Sequence, residues 1–254
     1  MQGAPIAAIG ADGAPAGWAL ACLRASSLEE DARGYWVTEL RVLPSIAALA
    51  DLRADEGPSA PVCIDVPIGL LDSVAFRACD RAARRILGAR RAPCVFMPPA
   101  RYMLAAAGDY PAMRALVEEE RRRNPGARSL SAQSAGIAPK VREVDGWVRA
   151  HPDSEEWLFE CHPEVSFQAL ARGPIPHSKS SAAGIESRLR ALEPVFPDAE
   201  KRIARAPWPA RQVGRADLLD AYAALSSAVA CARGVQDVLG GERDREGVPM
   251  RMVV

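Results

Sequence analysis

A chain of 254 residues with 49% hydrophobic and 25% charged residues is long enough to bury a sizeable core, and its make-up is that of a soluble globular protein. Its 32 basic and 32 acidic residues cancel, which excludes the global positive field of a basic nucleic-acid-binding domain and leaves any such partner to a local patch. No apolar run approaches the roughly 18 residues that span a bilayer, and the first residues lack a signal-peptide pattern, so no membrane partner and a cytoplasmic location are expected.

The chain opens with an apolar stretch, residues 6–12, that reads as a strand ending in Asp12-Gly13. After a glycine turn a second strand over 18–23 is expected to pair with it, and after a polar loop over 24–34 a third over 35–43. Pro44-Ser45 caps a helix with Ile46, Leu49 and Leu52 at helical spacing. It leads to Val62-Cys63-Ile64, a short buried strand that stops at Asp65 because Pro67 and Gly69 cannot continue a ladder.

From 75 to 87 the pattern is helical. Arg77, Arg81, Arg84, Arg85, Arg90 and Arg91 stand there against the single acid Asp80, a run that reads as a solvent face. A proline-rich loop over 93–101 follows, then helices over 111–123 and 137–150. Residues of about 72–152 thus read as a helical insertion in a single domain covering 1–254. Strand character returns at 155–161, a short helix with an early proline spans 163–170, and 172–184 is a polar loop. A helix over 185–192, an irregular stretch at 207–209, a long helix over 215–233 and a terminal strand over 250–254 complete the reading. The six cysteines show no CxxC and no histidine at zinc spacing, so buried reduced thiols are expected. Only Lys140, Lys179 and Lys201 are lysines.

Two strands that each finish in an aspartate invite one shared cation, because a bare carboxylate at a buried strand end costs several kcal/mol. Two-metal phosphoryl chemistry needs three or four carboxylates converging on divalent ions roughly 3.5–4 Å apart. Magnesium or manganese suits such oxygen ligands. The candidates are Asp12, Asp65, Glu160, Glu164, Asp217 and Asp220. Asp217 and Asp220, three apart, share a helix face. Glu160 and His162 share a side of their strand by its period of two. Some have a plainer use: Asp12 as a turn residue, Asp217 as a helix-start charge, Glu160 as an arginine's partner, His162 as a structural hydrogen-bonder, whereas Asp220 is harder to excuse among Leu219, Ala221 and Tyr222. His151 and His177 read as loop residues. Lys140, Arg142 and Lys179 are candidates for substrate phosphate.

The motifs Ala11-Asp12-Gly13 with Gly17-Trp18, Ile64-Asp65-Val66-Pro67-Ile68-Gly69, Arg77 to Arg84, Pro139 to Asp145, Glu160 to Phe167, Ser178-Lys179 and Asp217 to Ala221 run along the whole chain. Jointly they resemble domain-of-unknown-function family 429, described as predicted nucleases of ribonuclease H-like fold. The resemblance implies an α/β fold: a mixed five-stranded ribonuclease H-like sheet flanked by helices, with a helical insertion after the fourth strand. It also implies that Asp12, Asp65 and Asp217 or Asp220 hold Mg2+ or Mn2+. Ribonuclease H proper takes a glutamate from its first helix, where this chain offers only Asp51 and Asp55. Glu160 or Glu164 takes that place. The activity so implied is two-metal hydrolysis of nucleic-acid phosphodiesters. The rival readings are a nucleotide-binding phosphotransferase or hydrolase of related fold, weakened by the absence of GxGxxG and P-loop motifs, and a non-catalytic regulatory or binding protein.

Overall fold

The computed structural model describes residues 3–25, 28, 36–125 and 128–254. In chain order its elements are β1 (Ile6–Ala14), β2 (Gly17–Arg24), β3 (Val37–Leu43), α1 (Ile46–Glu56), β4 (Val62–Ile64), α2 (Ala78–Arg91), α3 (Tyr110–Arg123) and α4 (Ala132–Ala150). Then come β5 (Leu158–Cys161), α5 (Pro163–Leu170), α6 (Ala182–Leu192), α7 (Ala199–Ala204), α8 (Arg215–Ala232), β6 (Val238–Arg243) and β7 (Pro249–Val253). The chain is mixed α/β. It groups into two compact units: Met1–Asp65 with Glu156–Asp237 and Val253–Val254, and Val66–Glu155 with Val238–Met252. The insertion expected at about 72–152 falls within the second.

In the first unit the strand order is β3-β2-β1-β4-β5. β1, β2 and β3 form an antiparallel meander, whereas β4 runs parallel to β1 and β5 parallel to β4. The β1–β2 turn closes at Gly17, whose φ of 129° is one that side-chain-bearing residues rarely adopt. Ser45 caps α1 by accepting from the Ala48 N–H at 3.2 Å, and the helix buries Ile46, Leu49 and Leu52 as their spacing predicts. The polar loop expected at 24–34 and the first residue of the expected third strand, Tyr35, lie largely outside the described residues.

Helix α8 lies across β1, and its small residues set the separation. Ala221, Ala224, Leu225 and Ala228 are all fully buried. Opposite them, a Cβ placed on Gly10 would stand 2.0 Å from the Leu225 nitrogen and 2.2 Å from the Ala221 oxygen. Both are backbone atoms of a helix that cannot step aside. Gly10→Ala is therefore expected to cost at least ~3 kcal/mol, the upper end of core overpacking. The check is the chemical-denaturation midpoint at unchanged slope; a loss below ~0.5 kcal/mol would show the close approach to be dispensable.

In the second unit, Met103, Met113, Val117, Ala135 and Ala138 form a separate core beneath α3 and α4. The arginine-rich α2 presents Arg81, Arg85 and Arg90 to solvent as read, but its leading arginine does the opposite. Arg77 is buried and locked to Asp80 through Nη2 (2.6 Å) and Nε (3.1 Å), while Nη1 donates to the Ile68 and Gly69 carbonyls. Helix α4 begins five residues before the expected 137. Ser131 caps it through the Ser134 N–H (3.0 Å), and the buried Ser134, Ala135 and Ala138 hold the turns around Pro139 in place. Packing there carries the helix through Pro139, which lies in its interior.

The described residues contain seven strands: counterparts of the five expected in the sheet, the expected terminal strand, here β7, and one more, β6. β6 was missed because Gly240 and Gly241 read as a break, yet both take positive φ (78° and 132°) inside the strand. The short α7 was likewise unforeseen, and β5 starts at Leu158 rather than 155 because residues 152–156 form a 3-10 turn. No helix among the described residues is long and apolar enough to cross a membrane.

Candidate functional site

The first unit gathers carboxylates at the carboxyl ends of its parallel strands, the edge where open α/β sheets place their ligands. Ala11 pairs with Ile64 across β1 and β4, so the next residues, Asp12 and Asp65, lie side by side. The Asp65 N–H donates to the Ala11 carbonyl at 2.9 Å and extends the ladder by one step. Side chains alternate along a strand. Gly10, Asp12, Cys63 and Asp65 therefore share one face, and Gly10 identifies it as the face covered by α8. The first turns of α8 bring Asp217 and Asp220 to the same place.

These acids feel one another. Burial pushes the Asp12 carboxyl well above the usual carboxylate range, and the charges of Asp220, Asp65 and Asp217 push it further. Burial likewise raises Asp65, with Glu164 adding and His162 and Lys179 opposing. Asp220 is pushed up to about 6 by burial, with Asp65 and Glu164 adding, against the pull of Lys179. The Lys179 ammonium donates to Asp220 Oδ2 at 2.7 Å. Burial works against that ammonium, but Asp220, Asp65 and Asp12 raise its pKa all the same. Lys179 is thus the resident counter-charge of the cluster, and its side chain remains about half exposed.

Asp217 has a second duty. Its Oδ2 accepts from the Gly214 N–H at 2.8 Å, closing the first turn of α8. The helix-start role and membership of the cluster coexist in one residue. Burial raises its pKa, opposed by that backbone donor and by Lys179.

Glu164 sits in the first turn of α5, where His162 caps the helix by accepting the Glu164 N–H on Nδ1 at 3.3 Å. Both carboxylate oxygens of Glu164 are gripped by Nη2 of Arg188 on α6, at 2.6 and 2.7 Å. Arg188 is fully buried. Its Nη1 donates to the Gly184 carbonyl at 2.9 Å, and its Nε has no acceptor among the described residues. The sequence reading passed over Arg188 altogether.

Glu160 is placed elsewhere. It pairs with Ile64, so it projects from the sheet face opposite Asp12 and Asp65, where it is buried. Lys140 and Arg142 belong to α4 of the second unit. There Lys140 lies 3.7 Å from Glu143, and Arg142 donates to the Ala107 carbonyl at 3.3 Å. All six cysteines are free thiols. Cys63 and Cys231, their sulfurs 3.9 Å apart, lie on the α8 face of the sheet with the acids.

A mixed open sheet with buried acids from two strand ends and a covering helix, countered by one lysine, defines an α/β protein built around an anionic site. The chain belongs to the family described as protein of unknown function (DUF429), whose model matches residues 10–245. No curated protein and no solved structure matches the chain.

Proposed function

We infer that the chain is a Mg2+- or Mn2+-dependent hydrolase of nucleic-acid phosphodiester bonds on a ribonuclease H-like core. The antiparallel β1–β3 meander, the crossover through α1 and the parallel β4 and β5 support that core. One observation carries the activity: Asp12, Asp65 and Asp220 converge from three elements, and burial, with the charge of neighbouring acids adding to it, raises the pKa of each. Hard oxygen donors with an excess of negative charge suit these two cations. When bound, such an ion supplies Lewis-acid polarisation of a phosphoryl oxygen and lowers the pKa of water.

The chain's own residues do the rest. Asp12 and Asp65 would hold the cation from the sheet and Asp220 would hold it from the helix. Lys179, paired with Asp220 and half exposed at the edge of the cluster, would supply the ammonium to the phosphate. Glu164, fixed by Arg188, keeps its carboxylate beside Asp65 and Asp220, where its charge is felt by both.

The test is Mn2+-dependent cleavage of labelled RNA, DNA and junction substrates, with Asp65→Asn as the control. Wild type is expected to cut at least one of them and the variant none; equal activity in the two would sink the assignment. The Lys179–Asp220 ion pair favours one competing reading, in which the ammonium permanently satisfies acids that serve as structural anchors. In that case Mn2+ would leave the melting temperature unmoved, whereas a bound ion raises it by mass action.

A further inference from the structure

On the other flank of α8 lies a second feature of the first unit that the acid cluster does not use. Asp220 and Tyr222 stand about 200° apart around the helix and so face opposite ways. Tyr222 OH lies 2.8 Å from Thr38 Oγ1 on β3, which donates to Asp198 Oδ1 at 2.7 Å. Asp198 in turn lines a cavity of about 520 Å³ together with Leu40, Lys201, Arg202, Arg205 and Trp208. That volume suits a small organic ligand rather than a lone ion.

The chemistry of the lining is lopsided. Asp198 spends its second oxygen on Arg202 Nε, so those two charges satisfy each other. Lys201 and Arg205 are left over. They are exposed, have no ion pair among the described residues, and lie four apart on one face of α7 and its cap, where like charges repel. Beside them Trp208 rests against the hydrophobic core while staying partly open, and Leu40 adds apolar wall. An inorganic anion would leave the indole idle, and an apolar ligand would leave two cations unmet. A flat ring joined to a phosphate uses both, since rings stack on indoles and phosphates pair with lysine and arginine.

We propose that this cavity is a nucleotide site, with the base on Trp208 and the phosphate between Lys201 and Arg205. Leu40 lies in register with Ala21 and Gly10, so the cavity opens on the α8-covered face of the sheet, two strands from the acids. Its occupancy is separate from theirs.

The experiment uses the full chain carrying Asp65→Asn in chelator, which removes cleavage and leaves the cavity untouched, so failure here and failure of the hydrolase reading are distinguishable. Calorimetric titration compares 5′-AMP, adenosine, inorganic phosphate and a 5′-phosphorylated oligonucleotide. Saturable binding of 5′-AMP or the oligonucleotide is expected, at least ~10-fold tighter than adenosine or phosphate, and ~10-fold weakened by Lys201→Ala with Arg205→Ala, a loss of about 1.4 kcal/mol. Trp208→Ala weakens it likewise. Tighter oligonucleotide binding assigns the site to a strand, tighter 5′-AMP binding to a free nucleotide. No saturable binding, or affinities unchanged in a double variant whose circular dichroism matches wild type, would overturn the proposal.

Discussion

Asp12→Asn is expected to make the metal-free protein more stable and the loaded protein inactive. The native Asp12 carboxyl is held well above its ordinary pKa by burial first and by Asp220, Asp65 and Asp217 next. A pKa raised by folding means that the native state binds more protons than the unfolded chain, so stability falls as pH rises. For this cluster the loss sets in above about 4, where unfolded aspartates ionise, and continues through Asp220's value of about 6. Asparagine keeps an oxygen to accept the Gly13 N–H, which reaches Asp12 Oδ1 at 2.8 Å, and removes the charge. In chelator the variant should therefore match wild type at pH 4 and exceed it by several degrees in melting temperature at pH 7–8. Mn2+ should raise wild type and not the variant. Cleavage should fall by more than the ~10–100-fold that losing a supporting partner costs, because Asp12 is the proposed direct ligand. Thermal melts at four pH values, with and without Mn2+, give the whole result. A variant less stable than wild type at pH 8 in chelator would show that the acids do not repel one another.

The second large effect belongs to Glu164. Removing one member of a buried ion pair strands the other, at about 3–5 kcal/mol. Glu164→Ala would leave Arg188, fully buried, with carbonyls alone. For a chain of this length the corresponding fall in melting temperature is roughly 6–20 °C. The double variant Glu164→Leu with Arg188→Met should recover most of that loss, because an apolar pair of similar volume removes both desolvation costs. It should not recover cleavage, since Glu164 would no longer lend its charge beside Asp65 and Asp220. Cleavage restored together with stability would reduce Glu164 to a purely structural residue.

Much of the scaffold could be read from local pattern. The apolar run before Asp65 ends where proline and glycine forbid more ladder, which placed that acid at a strand end, whereas β1 continues past the expected stop at Asp12 through Gly13 to Ala14. Their shared face could not be read the same way. Period-two alternation tells which residues of one strand lie together, as with Glu160, but not which of the two faces a distant helix will cover; that needed the Ala11–Ile64–Glu160 register and the contact of Gly10 with α8. Arg188 did leave a trace. It stands at position i+3 of the stripe Ile185, Leu189, Leu192, and an arginine on an apolar stripe demands a buried acid. Arg77 was hidden among exposed arginines, and β6 behind two glycines whose left-handed backbone a strand pattern does not announce.

Lys179 gives the cluster a cation of its own before any ion arrives. Proteins whose ligands repel one another in the absence of metal commonly cannot fold until it is supplied. Here the tether is a half-exposed side chain on a surface loop, able to let go of Asp220 without disturbing the sheet. On the proposed metal-dependent reading, synthesis and charging would be uncoupled: the polypeptide would be produced in ion-poor conditions, persist in an idle form, and be switched on afterwards by whatever divalent supply its surroundings offer.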